Sequence, residues 1–346
     1  MLKYTDEYLE DLCEIQELLP QIEVLKNKSV LITGAGGLIC SAVVDCLMEL
    51  NRKFDLGIDV YAAGRNRVKI EKRFEYWMNE ITFHFFQYDA LERLNTELSF
   101  DYVIHGASNA NPGIYLVQPV ETMLANFIGM NNLLEHVKKT GKGRVLYISS
   151  SEVYGKKNTG EAYDETDYGF LDILNPRACY PSSKRASETL CASYRKEYGL
   201  DYVIVRPGHV YGPTMTEFDN RASSQFPRDI KAGKDIIMKS AGTQLRSYCY
   251  VLDCVSGILV ALLKGISGEA YNISNKESVV TIREMAEAFA KKGGHNLVFE
   301  IATTEEAASF NLMDNSSLVG EKLEDLGWKG KFDLWKGVQR TLDSIE

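Results

Sequence analysis

Short β-branched or aromatic runs alternate along the chain with longer segments whose apolar residues recur at helical spacing. Short apolar runs are typical of buried strands, and a period near 3.6 residues is typical of helices. Each short run with the longer segment after it therefore predicts a strand followed by a helix. The predicted strands cover Ser29 to Thr33, Ile58 to Ala63, Tyr102 to His105, Arg144 to Ser149 and Tyr202 to Arg206. The predicted linking helices cover Leu38 to Leu50, Arg67 to Asn79, Val117 to Lys139 and Ser182 to Tyr198. This alternation predicts an α/β fold of the Rossmann type, a doubly wound parallel sheet with helices on both faces.

Both ends of the chain depart from this alternation. Apolar residues at helical spacing before Pro20 predict an amphipathic N-terminal helix that packs on the body or on a partner; they are Leu9, Leu12, Ile15 and Leu19. Beyond about residue 207, Gly and Pro turns make the pattern more irregular. We therefore expect an N-terminal helical extension over 1–27, a Rossmann domain over 28–206, and over 207–346 mainly a smaller α/β lobe with some segments returning to the Rossmann domain.

Length, charge and cysteine content narrow the class of protein. A chain of 346 residues has room for one large α/β domain, a smaller lobe and a cleft between them. A net charge of -9 without a basic run argues against nucleic-acid binding. The acidic N-terminus and the lack of long apolar runs predict neither a signal peptide nor membrane association. The seven cysteines include no CxxC pair, so we expect no disulfide framework, no metal site and a cytoplasmic location.

A glycine-rich turn follows the first predicted strand. It reads Gly-Ala-Gly-Gly-Leu-Ile-Cys over residues 34–40 and would direct backbone N–H groups and a helix N-terminus at a pyrophosphate. This predicts a nicotinamide dinucleotide, NAD, held by Gly34, Gly37, Leu38 and Ile39. Cys40 replaces the third glycine of the spacing, so we expect a slightly shifted packing of helix on strand.

The end of the second strand and the apolar run that follows it bear on the choice of dinucleotide. The second strand runs into Arg65 and Asn66 without the acidic residue that would bind the adenosine ribose hydroxyls. Because Arg65 would suit a 2′-phosphate, NADP stays an alternative to NAD. Asp89 and Ala90 follow the next apolar run and are predicted to contact the adenine.

Tyr180 and Lys184 stand four residues apart, on one face of a predicted helix. A free tyrosine has a pKa of about 10, too high for an efficient base at neutral pH, but a nearby ammonium and an oxidised nicotinamide favour the phenolate. Tyr180 is thus the candidate general base for oxidation of a hydroxyl. Ser150 follows a predicted strand and would hydrogen-bond the reacting oxygen; a serine-rich turn that bonds its own backbone is the alternative.

Taken in order, these motifs resemble the extended short-chain dehydrogenases/reductases that modify nucleotide-sugars. The resemblance runs from about Lys28 to the end and includes 105–108, 119–122 with Asn126 and Gly129, 206–213, 246–253, 271–273 and 326–328. The serine motif, the approach from Arg177 to Tyr180 and the segment at Arg246 are most similar to UDP-glucuronate decarboxylases.

The resemblance implies a role for each candidate residue. Ser150 and Tyr180 would handle the sugar C4 hydroxyl, Lys184 would bind the nicotinamide ribose, and Glu152 and Arg246 would lie near the C5 substituent. Further cofactor contacts would come from Ala107, Ser108, Asn126, Pro207 and His209. Further substrate contacts would come from Ser151, His209, Arg221 and Arg246. A homodimer through the helices that follow Pro119 and Tyr180 is implied as well.

Three departures separate the candidate reactions. Ser151 replaces an Asp typical of dehydratases, which disfavours dehydration. Glu152 argues against simple 4-epimerases. His209 stands where the decarboxylases have Asn, so the substrate sugar stays open. We expect NAD-dependent, transient C4 oxidation of a nucleotide-sugar with loss of the C5 carboxyl. A 4-epimerase and a 4,6-dehydratase are the alternatives, and a non-catalytic dinucleotide sensor is the alternative from another class.

Overall fold

The computed structural model describes residues 2–19, 21–303 and 313–346. Its strands are β1 (Ser29–Thr33), β2 (Asp59–Gly64), β3 (Phe83–Gln87), β4 (Tyr102–His105), β5 (Arg144–Ile148), β6 (Tyr202–Pro207), β7 (His209–Tyr211), β8 (Ile236–Met238), β9 (Leu245–Tyr250), β10 (Ala270–Ile273), β11 (Val279–Thr281), β12 (Leu297–Phe299) and β13 (Asn315–Ser316). Its α-helices are α1 (Asp6–Cys13), α2 (Leu38–Phe54), α3 (Arg67–Arg73), α4 (Pro112–Tyr115), α5 (Pro119–Thr140), α6 (Cys179–Tyr198), α7 (Ala222–Lys231), α8 (Val251–Lys264), α9 (Ile282–Gly293), α10 (Glu321–Glu324) and α11 (Leu334–Asp343).

A seven-stranded sheet forms the centre of the fold. Its order is β10-β6-β5-β4-β1-β2-β3, and every neighbouring pair is parallel. Helices cover both faces, and strands such as β6 are buried along their whole length, as expected for a parallel sheet. The Rossmann-type α/β fold predicted from the sequence is confirmed. The carboxyl ends of β1, β4, β5 and β6 meet at one edge, where ligands bind in open α/β sheets.

Helix α3 is shorter than the predicted Arg67 to Asn79. The α-helix stops at Arg73 and the chain continues as a short 3-10 helix, Glu75–Trp77. Phe74 and Trp77 are fully buried, and the Trp77 indole Nε1 donates to the buried Asp45 carboxylate at 2.9 Å. Turning both aromatic rings inward takes the place of another helical turn, a tertiary contact that helical periodicity does not reveal.

Segments after residue 207 enter two different sheets. Strand β10 pairs with β6 in the central sheet, and α8 packs against β5 and β6. Strands β7, β9, β11 and β13 form a smaller sheet, and β8 pairs with β12. Because β7 follows β6 almost directly, the smaller sheet begins at the edge where the central strands end.

The N-terminal extension is helical but broken. Helix α1 gives way to a 3-10 helix at Glu14–Leu18 rather than continuing to Pro20, which lies outside the described residues. Leu12 and Leu19 are buried against the body, and α1 packs on α2. None of the described helices has both the length and the apolar character needed to cross a bilayer.

Candidate active site

Ser150 lies just beyond the carboxyl end of β5. Its hydroxyl accepts a hydrogen bond from the Glu152 backbone N–H at 3.2 Å and so caps the short 3-10 helix Ser151–Tyr154. The same hydroxyl faces the Tyr180 phenol and lowers its pKa. One side chain therefore both bonds its local backbone, as a serine-rich turn would, and faces the candidate general base.

Tyr180 and Lys184 lie in the first turns of α6, which begins at Cys179, three residues earlier than predicted. The Lys184 ammonium donates to the Ile148 carbonyl at 2.8 Å and lies 5.7 Å from the centroid of the Tyr180 ring. Tyr180 stacks on Tyr115, with the ring centroids 5.3 Å apart and the planes 12° apart. The structure thus brings Ser150, Tyr180 and Lys184 together at the end of β5.

The environment of Tyr180 holds the phenol neutral in this structure. Burial raises the pKa of Tyr180 to about 12, and the Glu152 carboxylate adds to the rise. The hydrogen bond with Ser150 lowers that pKa, as do the charges of Arg221 and Arg177. Further positive charge at the site is needed before this phenol can act as a base at neutral pH.

Lys184 shows the opposite effect of burial. Desolvation lowers the pKa of Lys184 to about 7, while Cys40 and Glu188 act in the other direction. Near neutral pH the group is therefore poised between its charged and neutral forms, and a ligand that hydrogen-bonds the ammonium would favour the charged form.

Glu152 faces a partner that sequence reasoning did not assign to the site. The Arg177 guanidinium reaches both carboxylate oxygens of Glu152, at 3.1 and 3.4 Å, and the Tyr115 hydroxyl donates to one of them at 3.4 Å. Arg177 stands three residues before Tyr180, so its position in the sequence was a usable signal. No comparable signal marks Tyr115.

Arg246, on β9, is a buried cation. Its guanidinium hydrogen-bonds the adjacent Leu245 carbonyl at 2.8 Å and forms no ion pair with an acidic residue in the described part of the chain. Burial lowers the pKa of Arg246, and the charges of Tyr248, Asp314 and Glu152 act in the opposite direction. A buried guanidinium with donors to spare is suited to an anionic ligand.

His209 lies near Arg246 at the start of β7. Burial, then the charges of Arg246 and Arg221, lower the pKa of His209 to about 3, so its ring is neutral. Its Nδ1 is buried without a hydrogen-bond partner in the described residues. Arg221, by contrast, is occupied by the Asp219 carboxylate, with Nε at 2.9 Å from Oδ1. Arg221 acts on the site through its charge and is less available to a ligand than its sequence context predicts.

The glycine turn after β1 is built for close backbone approach. Gly34 has φ of 70°, and a Cβ there would lie 2.8 Å from the Ala107 backbone nitrogen. Leu38 and Ile39 form the first turn of α2, with Gly37 as its N-cap. Cys40 fits in place of a third glycine because Gly106 offers it space: a Cβ on Gly106 would collide with the Cys40 sulfur. The absence of a side chain at Gly106, just after β4, thus leaves room for the Cys40 side chain on α2.

Other predicted cofactor contacts lie around this turn. Arg65 is exposed beyond β2, whereas the Asn66 side chain caps α3 by accepting from the Lys69 N–H at 3.0 Å. The Asp89 carboxylate accepts from the Leu91 N–H at 3.0 Å, and the Ala90 carbonyl accepts from an amide of α5. Asn66 and Asp89 therefore already support local structure.

The remaining predicted residues line the edge of the sheet. Asn126 lies buried on α5 against α6, donates to Ser183 at 3.0 Å and leaves its Oδ1 without a partner in the part of the chain that the structure describes. Ser108 carries a buried hydroxyl oxygen without a partner in the described residues. Ser151 begins the 3-10 helix after Ser150, and Pro207 ends β6. Unpartnered buried polar atoms of this kind are what a polar ligand would satisfy.

A parallel sheet with a glycine turn after its first strand and a Ser–Tyr–Lys group at the end of β5 defines a dinucleotide-dependent class of site. Comparison with known families agrees. The model of the NAD dependent epimerase/dehydratase family matches residues 30–274, and the chain belongs to that family.

Two curated relatives of the chain are decarboxylases. It is 31% identical over 328 residues to UDP-glucuronic acid decarboxylase 1 of Xenopus tropicalis, covering 93% of this chain and 74% of that protein. It is 33% identical over 312 residues to UDP-glucuronic acid decarboxylase 5 of Arabidopsis thaliana, covering 90% of this chain and 87% of that protein. The predicted resemblance to this group is confirmed.

Solved structures show the same fold with other activities. UDP-glucose 4-epimerase of Thermotoga maritima aligns with a TM-score of 0.77 at 24% identity, covering 91% of this chain and 97% of that one. UDP-glucuronic acid 4-epimerase of Bacillus cereus, in complex with UDP-glucuronic acid and NAD, aligns with a TM-score of 0.76 at 24% identity, covering 91% and 98%. At this identity the likeness establishes the fold.

Proposed function

We propose that this chain is an NAD-dependent decarboxylase of a UDP-glucuronate-like nucleotide-sugar that works through transient oxidation at C4. The observation that carries the proposal is the convergence of the Ser150 hydroxyl and the Tyr180 phenol beside the buried Lys184 ammonium. Family membership and the decarboxylase relatives support the same reaction class.

The residues present fit a nicotinamide dinucleotide. The Gly34 turn lies against the Ala107 backbone, where added side chains would collide, and the buried Asn126 Oδ1 and Ser108 Oγ lack partners in the described residues. Gly34, Gly37, Leu38 and Ile39 would hold the pyrophosphate, and Lys184 the nicotinamide ribose. When bound, the oxidised nicotinamide supplies a hydride acceptor for C4 and later returns the hydride. NAD is the proposed form, with NADP as the alternative because of Arg65.

The chain's own groups then act on the sugar. Tyr180 takes the proton of the C4 hydroxyl while Ser150 hydrogen-bonds the same oxygen. A C4 ketone makes the substrate a β-keto acid, so the C5 carboxyl leaves as carbon dioxide and its electron pair moves toward the C4 oxygen. Tyr180 and Ser150 stabilise the charge that develops there. Arg246, a buried cation without an acidic partner in the described residues, suits the substrate carboxylate.

The test is turnover of UDP-glucuronate by purified protein, with carbon dioxide and UDP-pentose as products. We expect the Tyr180→Phe variant to lose turnover by about 10²–10⁴-fold while it still binds the dinucleotide. Interconversion of UDP-hexoses without carbon dioxide release would favour the 4-epimerase. Unchanged biological activity of Tyr180→Phe would favour the dinucleotide sensor.

We infer further that the protein forms a homodimer through α5. This helix exposes a stripe of large apolar side chains at helical spacing, which we call the α5 stripe: Val120, Met123, Leu124 and Phe127. Contiguous apolar surface of this kind marks an interaction site more often than a solvated face. The seven buried, unpaired cysteines support the reducing environment of the cytoplasm as its location.

A further inference from the structure

The carboxylate of Glu152 is already occupied in this site. Both of its oxygens lie within hydrogen-bond distance of the Arg177 guanidinium, and one also accepts from the Tyr115 hydroxyl. A forked guanidinium forms a strong, oriented pair with a carboxylate. Glu152 thus faces the substrate region as an ion-paired group.

The fork belongs to the same rigid unit as the catalytic phenol. The Asn175 side chain accepts from the Arg177 N–H at 2.9 Å and starts a single turn that leads directly into α6. The Arg177 guanidinium lies 4.7 Å from the centroid of the Tyr115 ring, and Tyr115 stacks on Tyr180. Arg177, Tyr115 and Tyr180 are therefore positioned together, and Glu152 is held relative to all three.

Two reactions of a 4-keto uronate make different demands on Glu152. Removal of the C5 hydrogen needs a carboxylate that is free to accept a proton: the C5–H bond breaks, its electron pair moves into the C4 carbonyl, and Glu152 takes the proton. Decarboxylation breaks the C5–carboxyl bond instead, sends that electron pair into the same carbonyl, and places a solvent-derived proton on C5. Only the first reaction needs a base at C5.

We propose that Arg177, with Tyr115, is a specificity-determining positioning pair that keeps Glu152 from removing the C5 hydrogen and so directs the site to decarboxylation. This inference rests on the proposed function and adds a cause for the choice of reaction. Arg177 acts through Glu152, because proton transfer to Glu152 would give up its ion pair with the guanidinium.

Deuterium labelling distinguishes the two reactions in one product. Holoenzyme is incubated with UDP-glucuronate in heavy water, and the C5 position of the UDP-pentose is read by NMR. The wild type should give product with one deuterium at C5, because only the carboxyl is replaced. Arg177→Gln should give a second deuterium at C5, and label at C5 of unconverted substrate, with doubly labelled product rising at least about tenfold.

Matched variants identify the group responsible. Adding Glu152→Gln to Arg177→Gln should return the product to one deuterium. Tyr115→Phe keeps the ring stack but removes one donor to Glu152, and should raise the doubly labelled fraction to an intermediate level. Arg195→Gln, an exposed arginine on the same helix α6, should label as the wild type does.

A failure of this inference can be distinguished from a failure of the proposed function. Doubly labelled product from the wild type, or singly labelled product from both Arg177→Gln and Tyr115→Phe, would overturn the inference. A second deuterium that persists with Glu152→Gln would overturn the role of Glu152. If Arg177→Gln gives no product, Tyr115→Phe alone decides. Absence of carbon dioxide from the wild type would instead reject the proposed decarboxylation itself.

Discussion

Lys184 is a buried ammonium whose pKa falls from 10.5 to about 7. Between about pH 7 and pH 10.5, Lys184 is protonated in the unfolded chain and largely neutral in the native one, so the free energy of unfolding rises with pH. The destabilisation caused by burying Lys184 is fully present below about pH 7 and disappears above the pKa that Lys184 has in the unfolded chain.

Lys184→Met should therefore gain stability relative to wild type at low pH. In dinucleotide-free protein, the gain at pH 6 should exceed the gain at pH 9 by about 3 kcal/mol, because the native and unfolded chains differ by nearly one bound proton over the two pH units between 7 and 9. Urea unfolding at both pH values measures this difference. Equal gains at pH 6 and pH 9 would contradict it. Turnover should fall by about 10²–10⁴-fold in the same variant.

Arg65 bears on the identity of the dinucleotide. Its side chain is exposed beyond β2, with no hydrogen bond or ion pair among the described residues, so it is available to a phosphate. If NAD is the cofactor, Arg65→Ala should change its dissociation constant by less than about threefold and leave NADP binding weak. Calorimetry with both dinucleotides provides the measurement. Tight binding of NADP to wild type that Arg65→Ala abolishes would establish the alternative.

Single residues differ in how far the sequence predicts them. The i, i+4 spacing of Tyr180 and Lys184 sets their common face whatever surrounds the helix. Arg177 and Cys40 depend on distant partners: the first meets Glu152 across a loop, and the second fits because Gly106 lacks a side chain. Such contacts follow from tertiary packing, which one sequence does not show.

At the scale of elements, α6 is attached to the sheet by an ion pair between the buried Arg206 and the largely buried Glu188. Arg206 on β6 donates through Nε and Nη2 to the two carboxylate oxygens of Glu188, at 3.1 and 2.7 Å, and through Nη1 to the Tyr154 hydroxyl at 3.0 Å. Glu188 lies one turn after Lys184 on the same helix. The pair therefore sets how α6 presents Tyr180 and Lys184 to the end of β5.

Removing one partner should loosen this attachment. Arg206→Met leaves the largely buried Glu188 carboxylate without its guanidinium, and we expect a loss of about 3 kcal/mol in the free energy of unfolding. Arg195→Met, on the exposed side of α6, should cost no more than about 0.5 kcal/mol. Chemical denaturation of both variants provides the comparison. Similar losses in the two would show that the Arg206 pair does not fasten the helix.

The elements themselves were predictable to different degrees. Strands β1, β4, β5 and β6 are buried on both sides, so their apolar runs stand out in the sequence. Strand β10 joins β6 after a crossover of more than sixty residues, and α3 stops early to bury Trp77. Both features depend on long-range packing rather than on local pattern.

At the scale of the whole molecule, the N-terminal extension connects distant parts of the chain. The Tyr8 hydroxyl donates to Asp45 of α2 at 3.0 Å, and Arg340 of α11 donates to Asp11 at 2.7 Å. The extension therefore contacts both the first helix of the Rossmann sheet and the C-terminal helix. Its helical pattern was readable from the sequence, but these two attachment points were not.

At the same scale, we expect the wild type to be a dimer that forms through the α5 stripe. Loss of this apolar surface should release the monomer. Leu124→Glu with Phe127→Glu would place two carboxylates in the centre of the contact, where they are buried without partners. Burial of these charges costs several kcal/mol, which exceeds what a homodimer interface of ordinary size can tolerate. Light scattering after gel filtration should report half the wild-type mass. Val68→Glu, a more exposed apolar position on α3, should leave the mass unchanged. A wild-type monomer at micromolar concentration would contradict the dimer, and a dimer that survives the double substitution would move its interface away from α5.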